Sequence, residues 1–368
     1  MARTELQRES FTFIKFGIKS QSFNCLLGGK EIGMAELRWN PFIKDWTMIA
    51  SHRQNRPQMP KDWCPFCPES GNVEPYEVLK YDNDFPALSP TPPLPDPVGN
   101  SFFKETESYG KCEVILYSPK HTVTLPELPL DHVVKLVDLW VERFSEISKD
   151  KKVKYVFIFE NRGEVVGVTM PHPHGQIYGY PYIPKKIELE LQSSKEHFEA
   201  ESECLMCRFL KEEREFNSRV IFENDDFSVI LPFFVEYPYG VYIISKTHKQ
   251  NITQMNNGEK KNLAKVIRET TGMLDSLFDT RFPYMMCMHQ NPVNSGDTSD
   301  YYHFHIEFFP PMRSKEKQKF NASSETGVWA HCNPTAPEEK AEELKKAYRK
   351  YMDKQSSELE VRGQRSEV

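Results

Sequence analysis

What this chain lacks narrows its role first. None of its 368 residues belongs to an apolar run approaching the length of a membrane span. The opening Met1-Ala2-Arg3-Thr4-Glu5 is too polar for the apolar centre of a secretory signal. Both absences predict a cytoplasmic protein with no membrane partner. Positive charge is short as well: 47 Lys and Arg against 53 Asp and Glu leave a formal net charge of −6. A nonspecific nucleic-acid binder carries a basic surface, so no nucleic-acid partner is expected, whereas a small anion in a local basic pocket is compatible with this balance. The length allows two domains, or one large sheet with appended helices.

Cysteine is present eight times, but its pattern does not read as a disulfide framework. Four of the thiols form the CxxC pairs Cys64/Cys67 and Cys204/Cys207 in a long chain without a signal, which favours metal binding. Redox chemistry would call for a strand-to-helix setting, and Cys64-Pro65-Phe66-Cys67-Pro68 reads instead as a polar knuckle. Cys25, Cys112, Cys287 and Cys332 stand alone and are expected as buried structural thiols.

The chain repeats itself. Cys64-Pro65-Phe66-Cys67 is answered by Cys204-Leu205-Met206-Cys207, Asn83-Asp84-Phe85 by Asp225-Asp226-Phe227, and Ser118-Pro119-Lys120-His121 by Ser245-Lys246-Thr247-His248. Each of those histidines precedes an amphipathic helix, first with Val133, Val137, Trp140, Phe144 and Ile147 on one face, then with Leu263, Ile267, Thr270, Leu274 and Phe278. Each helix precedes a strand pair ending in an HxH, at His172/His174 and at His303/His305. Landmarks in conserved order point to an internal duplication. The predicted fold is α+β, with two related halves, residues 1–195 and 196–368, each a largely antiparallel sheet with helices packed against it. Pro86 to Pro97 reads as an irregular loop, Glu338 to Tyr351 as a charged terminal helix, and the chain beyond Lys354 as a disordered tail.

Equivalent positions in two copies should converge on equivalent places. Cys64, Cys67, His121 and His172 make a Cys2His2 set suited to tetrahedral zinc, closed to water and therefore structural. In the second half the matching set is Cys204, Cys207, His248 and His303. A competing set for zinc or iron is Glu190, His289, His303 and His305, and both sets claim His303. Glu190 also reads plainly as part of a solvated helix face, and His121 as a capping or core histidine.

The most informative segment is His172-Pro173-His174-Gly175-Gln176. In an extended strand its two histidines and Gln176 share one face, while Pro173 and Gly175 leave the backbone uncrowded. With His172 assigned to a metal, His174 is left to attack phosphorus as a neutral imidazole, splitting one hard transfer into two easier ones. Gln176 can donate to phosphoryl oxygens, and Arg53 and Arg56 are spaced to aim two guanidinium groups at one diphosphate. The second copy carries Glu307 where the first has Gln176, and a carboxylate there repels phosphate. One chemical site per chain is expected, in the first half.

These residues resemble the galactose-1-phosphate uridylyltransferases of the histidine triad superfamily, built from two tandem copies of that fold. The resemblance runs from about Leu37 to about Glu325 and is strongest at Arg38-Trp39-Asn40-Pro41, Asp45-Trp46, His52-Arg53, Asn83-Asp84-Phe85, Ser118-Pro119-Lys120-His121 and the HPHGQ segment. It implies a ping-pong transfer of UMP from UDP-glucose to galactose 1-phosphate through a uridylylated His174. It also implies that Gln176 stabilises the phosphoryl oxygens, that Asn161, Gly167 and Thr169 line the phosphate site, that Asn83, Asp84 and Phe85 hold the uridine, and that Arg53 and Arg56 bind phosphate. A homodimer is implied, with Lys319, Phe320 and Glu325 contributed by the partner chain. The chain departs from the family at Asn321-Ala322-Ser323-Ser324, which replaces a glycine-containing aromatic stretch, and no glutamine follows Glu325 at the usual distance. Two rival readings stand beside this one: a related nucleotidyltransferase such as an ADP-glucose phosphorylase, which tends toward serines at the positions of Pro173 and Gly175, and a zinc-stabilised nucleotide-binding module without turnover.

Overall fold

The computed structural model describes residues 35–55 and 64–366. The described residues open with the hairpin β1 (Ala35–Asn40) and β2 (Asp45–Ala50). The chain continues through β3 (Leu79–Asp82), the short β4 (Glu105–Glu107) and β5 (Lys111–Leu116) to helix α1 (Leu130–Ser148) and the hairpin β6 (Tyr155–Arg162) and β7 (His174–Tyr180). Helices α2 (Lys185–Glu201) and α3 (Leu205–Phe216) lead to β8 (Val220–Glu223), β9 (Phe227–Ile230), β10 (Tyr242–Ser245), α4 (Asn257–Leu277), β11 (Tyr284–His289) and β12 (His305–Phe309). A short α5 (Ser323–Val328) and the long α6 (Pro337–Ser366) complete the fold.

Nine strands form one sheet in the order β3-β5-β7-β6-β11-β12-β10-β9-β8, and β1, β2 and β4 form a separate small sheet. The order reads symmetrically outwards from its middle, β6-β7-β5 on one side and β11-β12-β10 on the other. β6 and β11 pair antiparallel, so the two halves share one continuous ladder. Residue 195 lies inside α2.

Side-chain alternation divides the sheet into two faces with different duties. Val156, Ile158, Ile177, Met286, Met288, Ile306 and Phe308 point one way and pack against α1 and α4, where Trp140, Val137, Leu263 and Ile267 are fully buried. This is the core: alternating β-branched and sulfur-containing side chains meet helix faces with apolar residues at helical spacing, as the periodicity predicts. Both expected helices form; α4 is started by a capping box in which Asn256 and Glu259 exchange hydrogen bonds at 3.0 and 2.8 Å. The other face carries His174, Gln176 and Tyr178 on β7 and their neighbours on β6 and β12.

Two expectations change. The terminal helix does not stop near Lys354 but continues to Ser366; the segment contains no proline and is rich in Glu, Gln and Arg, which favour helix without a packed face. Of the isolated cysteines, Cys112 is buried, Cys287 is half-buried and Cys332 is exposed, so Cys332 is not a core thiol. Cys25 lies outside the described residues. Among the described residues no helix is long and apolar enough to cross a membrane.

Candidate active site and metal clusters

β7 begins at His174, which pairs with Leu116, while Gln176 pairs with Val114 on one side and Phe159 on the other. The strand is fastened just upstream: the Tyr117 amide donates to the Pro173 carbonyl at 2.9 Å. His172 lies in the bend before the strand, and its Nε2 is 2.8 Å from the Ser118 carbonyl. A carbonyl only accepts, so Nε2 carries the hydrogen and Nδ1 presents its lone pair. That lone pair faces Cys64 Sγ at 3.6 Å and Cys67 Sγ at 3.7 Å, and His121 Nδ1 stands 3.5 Å from Cys67 Sγ. Burial lowers the His172 imidazole to about 4, which keeps it neutral, the form a metal requires. Burial and the neighbouring Cys64 push the Cys67 thiol up to about 11. Two thiols crowded together without a cation resist losing both protons, and a divalent ion removes that penalty.

The second copy repeats the arrangement atom for atom. His303 Nε2 is 2.9 Å from the Ser245 carbonyl, its Nδ1 is 3.3 Å from Cys207 Sγ and 3.8 Å from Cys204 Sγ, and His248 Nδ1 is 3.6 Å from Cys207 Sγ. Ser118 and Ser245 thus orient the ligand histidines through their carbonyls. Sequence reasoning registered both serines as repeat landmarks without finding that role.

A third cluster decides the competition for His303. Glu190, His289, His305 and Glu307 place one ligand atom each within 4.8 Å of one another, and His303 is not among them. The set expected as Glu190, His289, His303 and His305 is therefore corrected. The reason is alternation: His305 and Glu307 share one face of β12, His305 pairs across the ladder with His289, and His303 lies before the strand, turned to the thiols by Ser245. His289 Nδ1 is 3.0 Å from Glu190, its Nε2 is 3.4 Å from Glu307, and Lys186 lies 2.5 Å from Glu307. Although burial opposes ionisation, His289, His305 and Lys186 hold the Glu307 carboxyl well below the usual carboxylate range. The oxygen and nitrogen donors suit iron or zinc.

His174 has a different environment. Its Nδ1 is 2.8 Å from the His172 carbonyl, which assigns the hydrogen to Nδ1 and makes Nε2 the basic nitrogen. His174 lines a pocket of about 940 Å³ together with Asn161, Gly167, Thr169, Arg162 and Arg281. Gly167 takes φ 82°, a left-handed turn that suits glycine. Gln176 Oε1 accepts from the Tyr178 hydroxyl at 3.2 Å, which fixes the orientation of its amide.

Asn83, Asp84 and Phe85 form a separate turn at the end of β3. Asn83 accepts from the Phe85 amide at 2.9 Å, and Arg53 donates to the Phe85 carbonyl at 3.1 Å, so Arg53 joins this turn. Arg56 lies outside the described residues. Lys319, Phe320 and Glu325 belong to another cluster beside Tyr237: Lys319 is 4.8 Å from that ring and 3.9 Å from Glu325, and Phe320 is exposed. They do not line the His174 pocket within one chain. Tyr117, Glu160, Arg162 and Arg281 also line it without having been expected there: Tyr117 follows β5, Glu160 and Arg162 flank Asn161 on β6, and Arg281 comes from the distant second half.

Comparison with known proteins agrees with this geometry. Models of the galactose-1-phosphate uridyl transferase N-terminal and C-terminal domains match residues 28–184 and 190–356. The chain belongs to the galactose-1-phosphate uridylyltransferase family. It is 41% identical to the Thermotoga maritima galactose-1-phosphate uridylyltransferase over 85% of this chain and 98% of that protein. It is 32% identical to the Saccharomyces cerevisiae galactose-1-phosphate uridylyltransferase over 77% of this chain and 86% of that protein. A solved uridylyltransferase superposes with a TM-score of 0.78 at 30% identity, covering 86% of this chain and 99% of the other. The mixed α+β architecture and the nucleotidyltransferase class are those of this family.

Proposed function

We propose that this chain transfers UMP from UDP-glucose to galactose 1-phosphate through a covalent histidine intermediate. Family membership supplies the reaction class, and one observation supports the residue: the His172 carbonyl holds Nδ1–H of His174, which leaves Nε2 as the basic nitrogen that would attack. Nε2 forms a bond to the α-phosphorus of UDP-glucose, and the bond to the bridging oxygen breaks, its electron pair leaving with glucose 1-phosphate. A phosphate oxygen of galactose 1-phosphate then attacks the same phosphorus, the P–N bond breaks, and His174 returns to neutral. Gln176, Asn161, Gly167 and Thr169 are the candidates to hold the phosphoryl oxygens. Asn83, Asp84, Phe85, Arg53 and Arg56 are the candidates for uridine and phosphate.

The donor chemistry of both Cys2His2 clusters fits zinc, which when bound cross-links the knuckle, the segment after β5 and the start of β7. Each is a closed site, so its contribution is order rather than turnover. The Glu190, His289, His305 and Glu307 cluster fits a harder ion, zinc or iron, with Lys186 as a charged neighbour. Lys319, Phe320 and Glu325 lie outside the His174 pocket of their own chain, which supports the reading that they serve the pocket of a second copy in a homodimer.

The test is to incubate the protein separately with UDP-glucose and ADP-glucose and to read His174 by intact and peptide mass spectrometry. Uridylylation of His174 is expected. Adenylylation alone would replace this reading with an ADP-glucose phosphorylase, and no adduct with either sugar would leave a binding module.

A further inference from the structure

Beneath the nucleophile lies a charged cluster that the transfer chemistry above does not use. Glu160 and Arg162 alternate with Phe159 and Asn161 along β6, so they project to the helix-bearing face. Arg162 donates to Asp275 of α4 at 2.8 Å, and the Tyr284 hydroxyl of β11 donates to Glu160 Oε1 at 3.1 Å. The Tyr117 hydroxyl at the end of β5 faces the same carboxylate and also lies directly under Gly175, the residue after the nucleophile. Glu160 is 6% exposed, and its Oε2 is buried without a hydrogen-bond partner among the described residues. A buried carboxylate oxygen left in this state is costly, so its retention calls for a use.

Attack through Nε2 turns the His174 imidazole, which keeps its Nδ1 hydrogen, into a cation. With Glu160 ionised, the cluster holds two carboxylates against one guanidinium and carries one net negative charge; with Glu160 protonated it is neutral. Negative charge in a low-dielectric interior next to the nucleophile's backbone stabilises that developing cation. We propose that Glu160 is a positioning residue for the uridylyl transfer, bracing Tyr117 under the His174-Gly175 backbone and supplying the charge that favours the imidazolium. The second half, through Asp275 and Tyr284, is then part of the site's electrostatics and not only its support. Burial pushes the Glu160 carboxyl up to about 7, against the pull of Arg162 and Tyr284, so its charge changes near neutral pH. The groups that face it are Arg162 on its own strand, Tyr117 just after β5, Asp275 of α4 and Tyr284 of β11.

This inference rests on the transfer reading above, and the experiment separates the two. Single-turnover uridylylation of His174 by UDP-glucose is measured from pH 5.5 to 8.5 in the wild type and in Glu160→Gln, which keeps the acceptor for Tyr284. Wild-type protein that never forms the adduct would overturn the function, not this inference. With the adduct formed, the wild type is expected to exceed Glu160→Gln by about tenfold at pH 8, the ratio falling toward one below pH 6, with KM for UDP-glucose unchanged. A ratio independent of pH, whether near one or large, overturns the proposal. Should Glu160→Gln fold poorly, Tyr284→Phe removes a donor to the carboxylate and should move the rise in rate to higher pH; an unmoved rise overturns the proposal equally.

Discussion

The hydroxyl of Tyr117 occupies the space that a side chain on Gly175 would need. A Cβ built on Gly175 collides with that oxygen and comes within 3.0 Å of the Phe159 carbonyl. Gly175 is thus demanded by close approach, not by a left-handed backbone: it is an ordinary residue of β7. His174, one residue before it, is paired with Leu116 of β5.

Gly175→Ala should therefore damage the site more than the fold. Overpacking of this kind costs about 1–3 kcal/mol, which thermal unfolding will register as a modest loss. Uridylylation of His174 should fall by roughly a hundredfold, because small misplacements of a reacting group carry that penalty. Adding Tyr117→Phe to Gly175→Ala should recover part of the rate; no recovery would show that the Phe159 carbonyl, and not the hydroxyl, is the obstacle.

His174 and His172 should separate cleanly. His174→Ala is expected to abolish the covalent adduct while metal content and unfolding temperature stay at wild-type values. His172→Ala should lose one equivalent of metal and lower the unfolding temperature, since its Nδ1 faces both thiols of the first cluster. Full metal occupancy in His172→Ala, read by elemental analysis, would remove His172 from the ligand set.

The three clusters among the described residues imply three occupancies. Cys207→Ser should remove one equivalent of zinc and leave the His174 adduct largely intact, because the second cluster lies in the other half. Glu307→Gln should leave the zinc of both thiol clusters in place and affect only the third ion. Loss of thiol-bound zinc in Glu307→Gln would mean that the clusters are not independent.

The Glu160 carboxyl is pushed up to about 7 by burial, from an ordinary value of 4.5. A raised acid favours the folded state while protonated, so its contribution is complete below the unfolded value and is lost as pH rises through about 7. By that linkage the wild type should lose up to about 3 kcal/mol relative to Glu160→Gln between pH 4 and pH 8. Denaturant unfolding of both proteins at several pH values checks this. A slow variant that is also the more stable one at pH 8 cannot owe its slowness to unfolding.

Much of this protein was legible in one dimension. The helix faces of α1 and α4, the β6-β7 hairpin and the convergence of both Cys2His2 sets follow from local patterns: helical periodicity, alternation, CxxC spacing and an ordered repeat. Three residues of the expected Glu190 set, Glu190, His289 and His305, do meet, and alternation along His303-Phe304-His305-Ile306-Glu307 makes Glu307 the fourth in place of His303. A residue before a strand is not bound by the strand's face, and the Ser245 carbonyl turned His303 to the thiols. Glu307, read only as a substitute for Gln176 that would repel phosphate, took the vacant place.

The sequence by itself determined the fold class and which imidazoles, thiols and carboxylates are on offer, since the backbone periodicities sort side chains onto faces. Only the tertiary structure decided which of them meet. Pairing of β6 with β11 joins the halves into one sheet, and that contact brings Tyr284 and Asp275 beneath the segment of His174, more than a hundred residues away in the chain. Charge, burial and protonation state depend on such neighbours, and neighbours distant in sequence leave no local pattern to read.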